Sequence, residues 1–284
     1  MGKRYKKLAL LGVGLLGASF ASAMRETGNV ETLYGYGRTE ANLIYAKNQG
    51  IIDHYSLSAS EVCHGADLIV LALPVGGFIE TIKQIAPVLK KGALITDTGS
   101  IKGSLVYGIE EILPNDVNYV GSHPIAGSHQ SGVKHSDKGL FQEALCIITP
   151  TEKSHPEAVR DISDLWISVG CRVTYLDPFE HDEIYGLVSH LPHLLAYCLV
   201  NTVRVTKEDA LSYVGKGFKD MTRIAASAPE LWTDIVTMNS SNVREYIDRI
   251  TDNLSLLKQW LQESNRTNLE EYFKQACEVR RRLG

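Results

Sequence analysis

Short apolar runs alternate with helix-length amphipathic stretches through the first two thirds of the chain. The run 5–11 (YKKLALL) predicts a strand, and 15–27 the helix behind it. A strand over 32–36 and a helix over 40–48 follow, then the continuous apolar run 67–73 (DLIVLAL), of the kind buried on both faces of a parallel sheet. Helices over 77–89, 102–113 and 156–168 are interleaved with strands over 93–96, 119–121, 146–149 and 172–175. Such alternation predicts an α/β domain over 1–176, a mostly parallel, doubly wound sheet with helices on both faces. From about residue 177 the strand-like runs end and helical periodicity takes over, which predicts an all-α domain over 177–284. Within it Val243, Ile247, Ile250, Leu254, Leu257 and Leu261 step by four and three in turn, a heptad seam. A seam this regular predicts a helix packed against a second copy of the chain, hence a homodimer.

Bulk composition agrees with two ordinary globular domains and narrows the partners. The 284 residues are 44% hydrophobic and 22% charged, with a net charge of −4. No basic surplus is available to displace counterions from a phosphate backbone, so nucleic acid is excluded as a partner. Five dispersed cysteines without a CxxC pair indicate neither a zinc ribbon nor a disulfide framework, and suit a reducing cytoplasm. The basic start, the apolar run 8–21 and Ala21-Ser22-Ala23 have the outline of a secretory signal. Three glycines within six residues interrupt that run and favour a strand, a turn and a helix instead, so a cytoplasmic location is expected. No later stretch reaches the roughly 18 apolar residues that a membrane helix needs.

The glycines that interrupt the run are Gly12-Val13-Gly14-Leu15-Leu16-Gly17, a GxGxxG between strand and helix. Gly12 serves the tight turn, Gly14 lets the backbone approach a pyrophosphate, and Gly17 lets helix and strand pack closely. This is the fingerprint of a Rossmann dinucleotide site. Leu15 and Leu16 open the helix that faces the phosphates, and Pro74 follows the strand at 67–73. An NAD site usually ends its second strand with an acid for the ribose hydroxyls. Here the strand runs into Gly37-Arg38-Thr39, so a guanidinium stands beside the expected acid and suits a 2′-phosphate. NADP is therefore the expected cofactor, with NAD as the alternative should Glu40 serve as the acid.

Three further segments carry polar groups that a bare Rossmann domain does not need. Asp97-Thr98-Gly99-Ser100-Ile101-Lys102 follows one strand, and Ser122-His123-Pro124 the next, at the edge where such sheets bind ligands. Ser189-His190-Leu191-Pro192-His193 lies in the helical domain. Pro192 fits a first helical turn, which predicts Ser189 as an N-cap and places His190 and His193 on one face near the positive end.

These segments, together with GVGLLGAS at 12–19, SDKGLFQEA at 136–144, ITP at 148–150 and GFKDMTRIAASAPELW at 217–232, resemble the prephenate and arogenate dehydrogenases of tyrosine biosynthesis. The resemblance covers nearly the whole chain and implies oxidative decarboxylation of a cyclohexadienyl acid, with hydride passing to a nicotinamide. His123 falls on the family's catalytic histidine, and imidazole suits a base for the ring hydroxyl. Ser100 matches a serine that orients that histidine or the hydroxyl. His190 matches a substrate-side histidine, with His193 beside it, and Arg223 matches an arginine able to clamp a carboxylate. Trp232 reads either as a pocket wall or as core. The chain departs from the family at His129, where many bacterial members carry Glu, and at Lys216, where glycine is common. Neither offers a carboxylate to an ammonium group, which favours prephenate over arogenate. The length suits a monofunctional form without a fused mutase or regulatory module.

Overall fold

A computed structural model describes residues 4–127, 130 and 132–283. Six parallel strands, β1 (Tyr5–Leu11), β2 (Val30–Tyr36), β3 (His54–Ser56), β4 (Leu68–Leu71), β5 (Leu94–Asp97) and β6 (Asn118–Tyr119), stand in the order 3-2-1-4-5-6. The crossovers are α1 (Leu15–Thr27), α2 (Glu40–Asn48), α3 (Ala59–Cys63), α4 (Phe78–Ile85) and α5 (Gly103–Ile112). Alternate residues of the central strands feed two separate cores. Leu8, Leu10, Leu68 and Val70 pack with Phe20, Met24 and Trp166 on one face. Ala9, Leu11, Ile69 and Leu71 pack with Phe78, Ile82 and Ile95 on the other. This two-sided burial is why β4 is apolar throughout and β1 is apolar from Leu8 onward, after the exposed Lys6 and half-buried Lys7.

The chain then leaves this sheet. Strands β7 (Gly121–Pro124), β8 (Leu145–Thr149) and β9 (Arg172–Tyr175) form a second, three-stranded sheet, with α6 (Pro156–Ser168) between the last two. The strands expected over 119–121, 146–149 and 172–175 therefore exist, but not as one continuous parallel sheet. β7 runs antiparallel to β8, with His123 opposite Ile147. A Cβ on Gly121 would lie 2.6 Å from Thr149 Oγ1, so the close crossing of these strands needs glycine. The three-residue β3 and five-residue α3 were too short to leave a periodic signature.

Helices fill the remainder: α7 (Pro178–Tyr185), α8 (Leu191–Lys207), α9 (Lys216–Thr222), α10 (Pro229–Met238), α11 (Ser240–Gln262) and α12 (Arg266–Arg282). One compact unit comprises 1–239 and a second 240–284. The second is an antiparallel pair, α11 and α12, in which Trp260 and Tyr272 meet edge to face and Tyr272 donates to Asn253 at 3.2 Å. The heptad seam lies wholly within α11, and its residues Ile247, Leu254 and Leu261 are exposed in the single chain. Among the described residues no helix is long and apolar enough to cross a membrane, and no cluster of His, Cys, Asp and Glu could hold a metal ion.

Candidate active site

The carboxyl ends of the parallel strands share one edge, and the glycine turn sits there between β1 and α1. Gly12 has φ +109°, and a Cβ on it would lie 2.3 Å from the carbonyl oxygen of Ala72. On Gly17 it would lie 2.0 Å from the Gly12 carbonyl, so both positions exclude any side chain. Gly14 differs: nothing lies within 4 Å of its would-be Cβ, and as N-cap of α1 it supplies no side-chain cap. The first-turn N–H groups, with Leu15 and Leu16 leading, are thus left open to an anion, as a pyrophosphate requires. Arg38 and Thr39 are exposed just beyond β2, beside the turn, since Gly12 N–H donates to Tyr36 O at 2.9 Å. Glu40 accepts a long hydrogen bond, 3.4 Å, from the Tyr55 hydroxyl. Pro74 is exposed at the mouth of β4.

At the end of β5 a buried carboxylate organises the next loop. Asp97 accepts from Lys102 Nζ at 2.6 Å and Gly99 N–H at 2.6 Å on one oxygen, and from Tyr119 OH at 2.7 Å and Ser122 N–H at 3.2 Å on the other. Lys102 and Asp97 side chains are both 0% exposed. The ammonium also donates to the carbonyls of Gly99 and Ile101, so all three of its protons are used. This ties the start of β7 to the carboxyl edge of β5 and presents His123 there.

His123 is held by a side chain that sequence reasoning did not select. Its Nδ1 lies 2.8 Å from His181 Nε2, and His181 Nδ1 lies 2.8 Å from Asp182 Oδ1, which also accepts the Lys102 backbone N–H at 2.8 Å. Burial, then His181, Lys102 and His190, drive the His123 pKa well below the ordinary imidazole range. Burial, Lys102 and His190 push His181 down to about 2, while burial raises Asp182 to about 6. Ser100 is half-buried in the adjoining loop and, among the described residues, makes no hydrogen bond to His123. A signal for the missed pair was present. Pro178, His181, Asp182 and Tyr185 form the buried stripe of α7, so two polar residues occupy positions at helical spacing that a plain core would fill with apolar side chains.

The segment 189–193 departs from expectation. Asp177, not Ser189, is the cap, accepting from Phe179 N–H at 2.8 Å and Glu180 N–H at 3.2 Å. α7 passes through one π-helical stretch, Gly186–His190, directly into α8, with Leu191 N–H reaching Gly186 O. The wider turn accommodates Pro192, which has no N–H to give, without ending the helix. His190 and His193 therefore lie within a continuous helical path and not at its positive end. His190 is fully buried and Asn239 Nδ2 donates to its Nδ1 at 3.1 Å. The amide nitrogen is identified by its second acceptor, the Asp182 carbonyl at 2.7 Å. Among the described residues His190 Nε2 is buried and finds no partner. His193, half-buried, stacks on Trp232 with 3.4 Å between ring centroids, and Trp232 also packs against the core. Arg223 is exposed with no hydrogen-bonded partner among the described residues, and its charge, after burial, helps to lower the His193 pKa. Gly76, in the loop after Pro74, meets Asp234 of α10, which ties the cofactor edge to the helix bearing Trp232. His129 lies outside the described residues.

A Rossmann sheet in the order 3-2-1-4-5-6, with an uncapped glycine turn and buried imidazoles at the same edge, belongs to an NAD(P)-dependent oxidoreductase. The family of the prephenate dehydrogenase nucleotide-binding domain matches residues 20–175, and that of the prephenate dehydrogenase dimerization domain matches 177–275. The chain belongs to the prephenate dehydrogenase family. It is 31% identical to cyclohexadienyl dehydrogenase of Zymomonas mobilis, over 97% of this chain and 95% of that one. It is 33% identical to prephenate dehydrogenase of Lactococcus lactis, over 98% of this chain and 77% of that protein. The crystal structure of Aquifex aeolicus prephenate dehydrogenase with hydroxyphenyl propionate and NAD+ superposes with a TM-score of 0.92 at 37% identity, covering 98% of both chains.

Proposed function

We propose that the chain converts prephenate to 4-hydroxyphenylpyruvate by oxidative decarboxylation, in the cytoplasm, with NADP preferred over NAD. The observation that carries this reading is His123. It is a buried imidazole whose Nδ1 is engaged by His181 while no described protein group pairs with Nε2. A bound nicotinamide ring supplies the hydride acceptor. His123 takes the proton from the ring hydroxyl at Nε2 as that oxygen becomes a carbonyl, and loss of CO2 aromatises the ring. Ser100 orients the hydroxyl. Prephenate carries two carboxylates, and among the described residues two donors suit them: the Arg223 guanidinium, which no described group engages, and His190, whose Nδ1 accepts from Asn239 so that its proton sits on Nε2, which has no described partner. His193 and Trp232 wall the pocket. Gly12, Gly14, Leu15, Leu16 and Gly17 cradle the pyrophosphate, Arg38 and Thr39 the adenosine phosphate, and Pro74 borders the nicotinamide side. Residues 1–176 thus serve the cofactor, and 177–284 the substrate and dimerisation.

His129 and Lys216 favour the keto side chain of prephenate over the ammonium of arogenate. The relative from Zymomonas mobilis supports a second reading, an arogenate or dual-specificity cyclohexadienyl dehydrogenase. Steady-state rates with both substrates and both cofactors decide. The expected result is the highest kcat/KM with prephenate and NADP. Arg38→Ser should weaken NADP far more than NAD, and equal losses for the two cofactors would remove Arg38 from 2′-phosphate recognition.

Assembly as a homodimer is supported by the dimerization-domain family match and by how little the helices bury alone. Beyond residue 200 only Ile235, Asn239, Val243 and Tyr246 are buried among the described residues, while Val205, Met221, Leu254, Leu261 and Phe273 are exposed. Helices with so much exposed apolar surface are suited to a partner. Light scattering should give near twice the 31.3 kDa of one chain, and the monomer mass at working concentration would overturn the dimer.

A further inference from the structure

We infer that Asp182 and His181 form a relay that fixes the tautomer of His123, holding its proton on Nδ1 and leaving the lone pair on Nε2. The inference deepens the base role proposed above and rests on it for its catalytic consequence. The direction of the chain follows from donor and acceptor counting. Asp182 Oδ1 accepts the Lys102 backbone N–H at 2.8 Å, and an ionised carboxylate offers only lone pairs. The atom 2.8 Å away, His181 Nδ1, must therefore be the donor. A neutral imidazole has a single N–H, so His181 Nε2 carries a lone pair. His123 Nδ1, 2.8 Å from it, must then be an N–H donor. The lone pair of His123 is left on Nε2. Without such a partner a histidine samples both tautomers, and only one of them can accept a proton at Nε2.

The surroundings hold each member in place. His181 is fully buried and stacks on Tyr185 with ring centroids 4.7 Å apart, and the His123 ring packs on the same tyrosine at 4.9 Å. The Asp182 carbonyl takes the Asn239 amide at 2.7 Å. A Cβ on Gly103 would lie 2.5 Å from Asp182 Oδ2, so the carboxylate fits against a bare backbone. Burial and the nearby Lys102 and His190 keep both imidazoles neutral, and Asp182, raised to about 6, remains ionised at neutral pH. Those are the protonation states that the direction of the chain demands. His181 and Asp182 are positioning residues, acting on the substrate only through His123.

The direct test is the nitrogen chemical shifts of the histidine side chains in the full-length wild-type protein. They should report the His123 proton on Nδ1; a proton on Nε2 would overturn the relay without any variant. Kinetics then tests the consequence. His181→Phe, which cannot accept, should lower kcat by about 10²-fold with the KM for prephenate little changed. His181→Gln, whose amide oxygen can accept the Nδ1 proton, should restore most of it. In a His123→Asn background His181→Phe should add almost nothing. Equal kcat for the Phe and Gln variants would also overturn the relay. Near-normal turnover of His123→Asn alone would instead remove the base role, and the tautomer measured in the spectrum would stand apart from that failure.

Discussion

His123→Asn is expected to reduce turnover by about 10²–10⁴-fold while leaving the fold and most of the substrate affinity intact. Asparagine is close in size and keeps a hydrogen-bonding group, but it cannot take up a proton as the ring hydroxyl becomes a carbonyl. The pH dependence supplies a second, independent sign. Only the neutral imidazole accepts, so the wild-type rate must fall on the acid side as His123 becomes protonated. Burial comes first among the causes that lower its pKa, followed by His181, Lys102 and His190. The fall should therefore lie below the pH of about 6.5 at which a free imidazole titrates. Asp182, near 6, belongs to the same cluster, so the limb reports the group as a unit. Rate profiles of both proteins, with prephenate saturating, check this. Near-normal turnover in the variant, or a variant that keeps the same acid limb, would remove His123 as the base.

Much of this arrangement was legible in the sequence because each part leaves a periodic or steric mark. β4 and the second half of β1 read as apolar runs since both faces are covered, and the glycine spacing reflects contacts no side chain could survive, such as Gly17 against the Gly12 carbonyl. His123 stood out as a titratable group at a strand end. What could not be read were features that depend on partners distant in the chain. His181 and Asp182 look like surface residues of an acidic stretch until α7 is seen to turn them inward. Lys102 sits in the polar segment that follows β5, but a lysine ordinarily signals solvent, and nothing local announces that Asp97 draws it fully inside. Ser189 fails to cap a helix for a related reason. The preference of Pro192 for a first turn presupposes regular α geometry, and a π-helical stretch relaxes it. The split of the sheets depends on the strand pairing of Gly121 with Thr149, a contact across 28 residues that no local pattern encodes.

Lys102→Met should be among the most destabilising single changes at the site, at about 3–5 kcal/mol in denaturant unfolding. The attraction between Lys102 and Asp97 is not the main reason, because taking both charges out of water costs much of what their contact returns. The loss comes from what remains. Asp97 would keep its bonds from Gly99, Tyr119 and Ser122 but would lie fully buried with no counter-charge. The carbonyls of Gly99 and Ile101 would lose a donor as well. If this account holds, Asp97→Asn combined with Lys102→Met should cost less than Lys102→Met alone, since the pair is then replaced by neutral groups. A single variant within about 1 kcal/mol of wild type would show that the carboxylate does not need the lysine. The same substitution carries a kinetic sign. Lys102 is a cation that disfavours protonation of both His123 and His181. Its removal makes each easier to protonate, so in the folded fraction the acid limb of the rate should move to higher pH. A limb that moves the opposite way would mean that the ammonium does not act on the base, and that the loop from Asp97 to Lys102 supports the site by shape alone.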